Sequence, residues 1–247
     1  MGETEQGRAT AGGTGAARAV MDETGPGRAT AGGTSGPGGT SGPGGIGMGD
    51  ARISPLAGWV PPPLTGLRFA ELPFRTQVNL RLPAKCPAAD AIGLELGAPL
   101  PVEPGTTARV GELSVLWLGP DEWLVVGPPG ADLGARLRAR AGTGPVSVVD
   151  VSALRTTIVV AGPRARDLLA HGCALDLHPS RFPTGRCAQT MLAHAQIVLV
   201  AVSDEESGRD ETNHGALGDG PAYHVLVRSS FAGYLTEWLE DAAVEYR

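Results

Sequence analysis

Residues 75–82, RTQVNLRL, alternate polar and apolar positions and place Val78, Leu80 and Leu82 on one side. That is the period of a half-buried strand. The apolar runs 113–118 and 123–126 are separated by Gly119-Pro-Asp-Glu122, turn chemistry that predicts a hairpin. Residues 131–141 carry Leu133 and Leu137 among alanines and arginines, the pattern of a short surface helix. The β-branched runs 146–151 and 156–160 lie close together and predict adjacent strands. Residues 162–172, GPRARDLLAHG, predict a helix with Pro163 at its first position and Gly172 just past its end. Strands follow at 186–192, 196–202 and 223–227, with a polar, acidic, glycine-bearing exposed loop at 203–221. Phe231, Tyr234, Leu235, Trp238, Leu239 and Ala242 then recur on one face of a helix, with Glu237, Glu240 and Asp241 outward and Ser229 or Ser230 placed to cap it. From 146 the order is strand, strand, helix, three strands, helix. It implies an α+β fold of mixed or antiparallel sheets with packed helices.

The first part of the chain has no such pattern. Of 37 glycines in 247 residues, 17 fall within the first 50, where there is no Phe, Trp or Tyr. GRATAGGT occupies 7–14 and again 27–34, and TSGPGG occurs at 34–39 and 40–45. Without large apolar side chains such a segment cannot offset its ordering entropy, so 1–58 reads as a disordered low-complexity tail. Glycine does not fall at every third position, against collagen, and no apolar run of secretory length follows the start. Residues 59–63, WVPPP, predict an extended arm that opens the folded domain, 59–247.

Composition narrows the function. A net charge of −6 without a basic, aromatic-studded stripe argues against nucleic acid. Of 20 basic residues only Lys85 is a lysine, consistent with a GC-rich bacterial genome. Three cysteines with no C-x-x-C pair fit a reducing cytoplasm better than a disulfide framework. No apolar segment approaches the roughly 20 residues that cross a bilayer.

Candidate chemistry is sparse. The run 172–190, GCALDLHPSRFPTGRCAQT, holds Cys173, His178 and Cys187, with His171 just before it. These are zinc-ligand types, but the spacing lacks a second close pair, and free cysteine is commonly buried. His171 suits a helix C-terminus, and Phe182 reads as an aromatic anchor among turn residues. Ser152 follows Asp150 without a nucleophile elbow, and a strand-end serine satisfied by backbone accounts for it. Asp121 and Glu122 are neighbours on a turn and point apart. No glycine-rich phosphate cradle occurs. The sequence therefore gives no catalytic, cofactor-binding or metal residue to propose. Trp117 and Trp123, with Phe74 and Arg75, are the residue types of interface centres, though hairpin tryptophans also fill cores.

Several of these runs carry a resemblance. Residues 72–81 (LPFRTQVNLR), 116–124 (LWLGPDEWL), 149–157 (VDVSALRTT), 162–169, 172–190 and 230–235 resemble, in order, the gamma subunit of heterotetrameric sarcosine oxidase. Ala153 stands where that family's D-V-S-x-x-R-T run often has histidine, so no polar role is implied there. The resemblance implies a fold similar to the folate-binding aminomethyltransferases, including the glycine-cleavage T-protein. It implies a complex that oxidatively demethylates sarcosine to glycine, hydrogen peroxide and formaldehyde or methylene-tetrahydrofolate. FAD, FMN, NAD and tetrahydrofolate would then belong to partner subunits, the alpha, beta and delta chains being the partners and this chain non-catalytic. The alternative is a stand-alone folate-binding or aminomethyltransferase-like protein, with Asp150 as the acidic residue of a pocket between two β-rich halves.

Overall fold

The computed structural model describes residues 52–203 and 220–247. The expected tail up to residue 51 and nearly all of the 203–221 loop lie outside the described residues. The order is β1 (Arg68–Leu72), β2 (Thr76–Arg81), α1 (Pro87–Leu96), β3 (Thr107–Val110), β4 (Leu113–Gly119), β5 (Glu122–Gly127), α2 (Leu133–Ala141), β6 (Ser147–Asp150), β7 (Arg155–Ala161), α3 (Ala165–Ala170), β8 (Cys187–Leu192), β9 (Ala195–Val202), β10 (Ala222–Arg228) and α4 (Ala232–Ala242). The strands form two five-stranded sheets, ordered β1-β7-β10-β9-β8 and β3-β4-β5-β2-β6. Every named pairing is antiparallel.

Alternation along the strands builds three apolar layers. In the first sheet Ile158, Val160, Ile197, Leu199, Val225 and Val227 point toward α3 and α4, meeting Leu168, Leu169, Leu235 and Leu239. In the second, Val78, Leu80, Trp123 and Val125 meet Ile92 and Leu96 of α1 and Leu133 and Leu137 of α2. The remaining faces meet each other, with Leu124, Val126, Val159, Val198, Val200 and Leu226 packed between the sheets. The result is helices, sheet, sheet, helices, and both sheets are buried on two sides.

Several expectations are corrected by this arrangement. Strands β6 and β7 follow one another in sequence but do not pair: β6 pairs with β2, and β7 lies between β1 and β10. The short link 151–154 carries the chain from one sheet to the other, and local β propensity cannot reveal such a switch. Helix α3 starts at Ala165 with Arg164 as its cap residue, so Pro163 precedes the helix. Neither serine caps α4: Ser229–Phe231 form a 3-10 turn, and Ser229 Oγ instead donates to Ala153 O at 3.0 Å. The buried stripe of α4 is Ala232, Leu235, Thr236 and Leu239, rotated from the sequence stripe, which leaves Phe231 and Tyr234 largely outside. Strands β1 and β3 and helix α1 are present in addition to the elements that the sequence pattern predicts.

The fold also begins earlier than residue 59. Leu56 is buried in the first core, and Trp59 Nε1 donates to Glu240 Oε1 at 2.7 Å, tying this segment to α4. Gly172 marks a close approach. A Cβ there would lie 2.6 Å from Trp238 Cζ2, so its role is to admit the ring.

Candidate functional site

The four ligand-type residues around 172–190 are separated by the fold. Cys173 packs in the core beneath α3 and α4, and Cys187 packs between the sheets. Cys187 Sγ lies 3.3 Å from Trp117 O, and burial pushes its thiol up to about 11. His178 Nδ1 meets Ser180 Oγ at 2.8 Å, and His171 Nε2 lies 3.8 Å from Glu245 Oε1 at the end of α3. Among the described residues, no three His, Cys, Asp or Glu side chains converge as metal ligands. Phe182 is a buried anchor in the first core.

A hollow of about 810 Å³ opens where the chain crosses between the sheets, with Arg52, Phe74, Asp132, Asp150, Ser152 and Arg155 on its wall. Its floor is polar and fixed. Ser152 Oγ accepts from Gln77 N at 2.9 Å, and Ser152 N donates to Asp150 Oδ1 at 2.9 Å. Gln77, fully buried, donates from Nε2 to Arg155 O at 3.1 Å and so links the second sheet to the first. The Ser152 hydrogen bonds, aided by Arg138 and Arg52, hold the Asp150 carboxyl below its ordinary range. Asp150 is therefore a fixed anion near neutral pH, suited to positioning and poorly suited to donating a proton. Among the described residues, the partners of Ser152 are backbone and Asp150, and histidine is not among them. No described histidine is therefore placed to act as the base a serine nucleophile requires. On the same side, Glu71 Oε1 accepts from Ser54 Oγ and Thr156 Oγ1, both at 2.5 Å, which fastens residues 52–56 to β1 and β7.

The other carboxylate pair is structural. Glu122 Oε1 accepts from Asn79 Nδ2 at 2.7 Å, while Arg81 reaches Glu122 at 3.4 Å and Asp121 at 3.9 Å. These contacts pin the β2–β5 ladder and leave no free acid and base facing one another.

Of the expected interface aromatics, Trp123 belongs to the core, fully buried with Nε1 donating to Pro101 O at 2.7 Å. Trp117 packs partly buried against the same cluster. Phe74 is exposed, on a backbone with φ 58° that non-glycine residues rarely adopt. Sequence reasoning missed one charged feature: Arg155 and Arg228 stand directly opposite each other on β7 and β10. Their distance along the chain hides that register.

The sequence matches the sarcosine oxidase, gamma subunit family over residues 82–245. It is 33% identical to the sarcosine oxidase subunit gamma of Corynebacterium sp. strain P-1, covering 73% of this chain and 81% of the relative. It is also 33% identical to that of Arthrobacter sp., covering 71% and 79% respectively. The fold is similar to a chain of the heterotetrameric sarcosine oxidase from Corynebacterium sp. U-96, solved with pyrrole 2-carboxylate, at TM-score 0.67 and 29% identity, covering 79% of this chain and 96% of that one. The glycine cleavage system aminomethyltransferase T of Bartonella henselae shares the fold at TM-score 0.51 and 14% identity, over 71% of this chain and 46% of that one. The expected fold class is thereby met. With the family match spanning most of the folded region and a third of positions identical to curated members, the chain belongs to the sarcosine oxidase, gamma subunit family.

Proposed function

We propose that the chain is the non-catalytic gamma subunit of a heterotetrameric sarcosine oxidase. In this reading it is a structural part of a complex that oxidatively demethylates sarcosine to glycine, hydrogen peroxide and formaldehyde or methylene-tetrahydrofolate. One observation carries it: identity of 33% that runs through 81% of a sarcosine oxidase gamma subunit. The locked Ser152 and Asp150 agree with it, because neither is free to exchange a proton with a substrate.

The partners on this reading are the alpha, beta and delta subunits, which would hold FAD, FMN, NAD and tetrahydrofolate, with the complex in the cytoplasm. No helix among the described residues is long and apolar enough to cross a membrane. The folded region, which includes the packed segment around Ser54 and Leu56, would be the assembling domain, with the glycine-rich chain before it and the 203–221 loop as additions. The hollow beside Asp150 favours a second reading, a folate-binding protein acting alone.

The test is purification of the tagged chain from its own cells, with mass spectrometry and an absorbance spectrum of what accompanies it. Co-purifying larger subunits, a flavin spectrum and sarcosine-dependent peroxide support the gamma-subunit reading. A lone, colourless chain that binds tetrahydrofolate would replace it with the second.

A further inference from the structure

Arg155 and Arg228 face one another across β7 and β10, and like charges directly opposite in an antiparallel pair destabilise it. Neither guanidinium makes a hydrogen bond or ion pair among the described residues. Glu122, whose field reaches Arg155, is already engaged by Asn79 and Arg81. Arg155 is also partly buried, and this burial together with the Arg228 charge holds its guanidinium below its ordinary value. Among the described residues, the pair therefore carries two positive charges that the fold brings together without an anion bonded to either.

The surroundings say what kind of anion fits. Arg155 lines both the hollow beside Phe74 and a second hollow of about 530 Å³ that includes Arg228 and Met191. Ser229 N donates to Leu154 O at 3.0 Å, placing exposed Leu154 against the turn that presents exposed Phe231. Phe74 borders the first hollow on a left-handed backbone, a cost retained for an aromatic that the core does not use. Exposed Phe, Met and Leu around unpaired arginines make up the composition of an interface centre. A second copy on a two-fold axis here would set arginine pair against arginine pair.

We propose that this face is the docking surface for another subunit of the sarcosine oxidase complex, which seats an Asp or Glu carboxylate between Arg155 and Arg228 and packs apolar side chains on Phe74 and Met191. The assignment rests on the gamma-subunit reading. Arginine's planar fork suits a bidentate carboxylate, and closure of the interface removes the water that now screens the pair.

The experiment is co-expression of the full chain with its partner subunits, wild type beside Arg155→Gln/Arg228→Gln and beside Phe74→Gly. Wild-type assembly judges the gamma-subunit reading, and its failure removes both that reading and this surface. Given assembly, the arginine variant is expected to bind its partners at least about 30-fold more weakly, with a flatter dependence on salt. The thermal midpoint of the isolated variant chain should be unchanged or higher, because the repulsion is gone. Phe74→Gly should likewise keep or raise the midpoint and weaken assembly. Variant complexes as tight as wild type would overturn the surface. So would a fall of the isolated arginine variant's midpoint by several degrees, which would make the pair structural. Calorimetry with acetate, glycine or sarcosine separates the remaining source: binding lost in the arginine variant would make this a small-molecule carboxylate site. Homodimers dissolved by the same variant would reassign the face to a second copy.

Discussion

The Gly172→Ala substitution adds a single methyl group where the fold has least room. Gly172 does not occupy the left-handed region, so alanine imposes no backbone penalty there. Its Cβ would nevertheless lie 2.6 and 2.8 Å from Trp238 Cζ2 and Cη2, and 3.0 Å from Ala193 N. The backbone cannot easily withdraw, because Gly172 O accepts from Ala193 N at 3.0 Å and Ala193 itself sits at φ 50°. The ring must therefore move outward from the core it covers. Overpacking of this kind costs about 1–3 kcal/mol. For a domain of this size each kcal/mol lowers the midpoint by roughly 2–4 °C, so a loss of about 2 kcal/mol appears as a fall of about 4–8 °C. Urea unfolding of the full chain gives the free energy, and calorimetry gives the midpoint. The decisive control is the same substitution in a Trp238→Leu background, where its cost should fall by about 1 kcal/mol or more. A loss below about 0.5 kcal/mol, or an equal loss in both backgrounds, refutes the contact between Gly172 and the ring as the reason for glycine.

Other positions give independent tests. Trp123→Ala should cost about 3–5 kcal/mol in urea unfolding, since the side chain is fully buried and its indole N–H is paired. At pH 8 a thiol reagent should modify partly exposed Cys86 in the native chain while Cys173 and Cys187 react only on unfolding. Because the folded Cys187 thiol is raised from 9.0 to about 11, its proton leaves the unfolded chain first, so its contribution to stability should fall as pH rises through that interval. Cys187→Ala should flatten that loss in pH-dependent denaturation. Glu95 accepts from Arg136 and Arg140, both at 2.9 Å, and those hydrogen bonds hold its carboxyl below the usual range. The stability it adds between α1 and α2 should be present at neutral pH and lost in acid, so Glu95→Gln should lower the neutral midpoint and leave the acid midpoint unchanged.

What the sequence reveals follows from how local each element is. The β4–β5 hairpin was legible because turn residues and two apolar runs lie within one short stretch. The α4 helix was legible in existence, although its broad apolar surface hid which stripe is buried. Helix α1, PAADAIGLEL, was missed because its small residues and internal Gly93 blur the helical period. Strands β1 and β3 are short and only partly buried, and their alternation carries little contrast. The crossing between sheets at 151–154 was invisible, because pairing partners are chosen by tertiary packing. The same limit applies to chemistry. The locked state of Ser152 was readable as a strand-end serine, whereas the opposition of Arg155 and Arg228 depends on a register that only the folded sheet sets.

The central claim is that this chain supports sarcosine oxidation without performing it, and sarcosine-dependent peroxide production tests that most directly. The assay compares the purified chain alone, the partner subunits expressed without it, and the complete complex. The account predicts no peroxide from the chain alone, a stable and active complete complex, and a loss of assembly and activity when the chain is omitted. Peroxide from the chain alone, or partner subunits that assemble and turn over unchanged without it, would contradict the account.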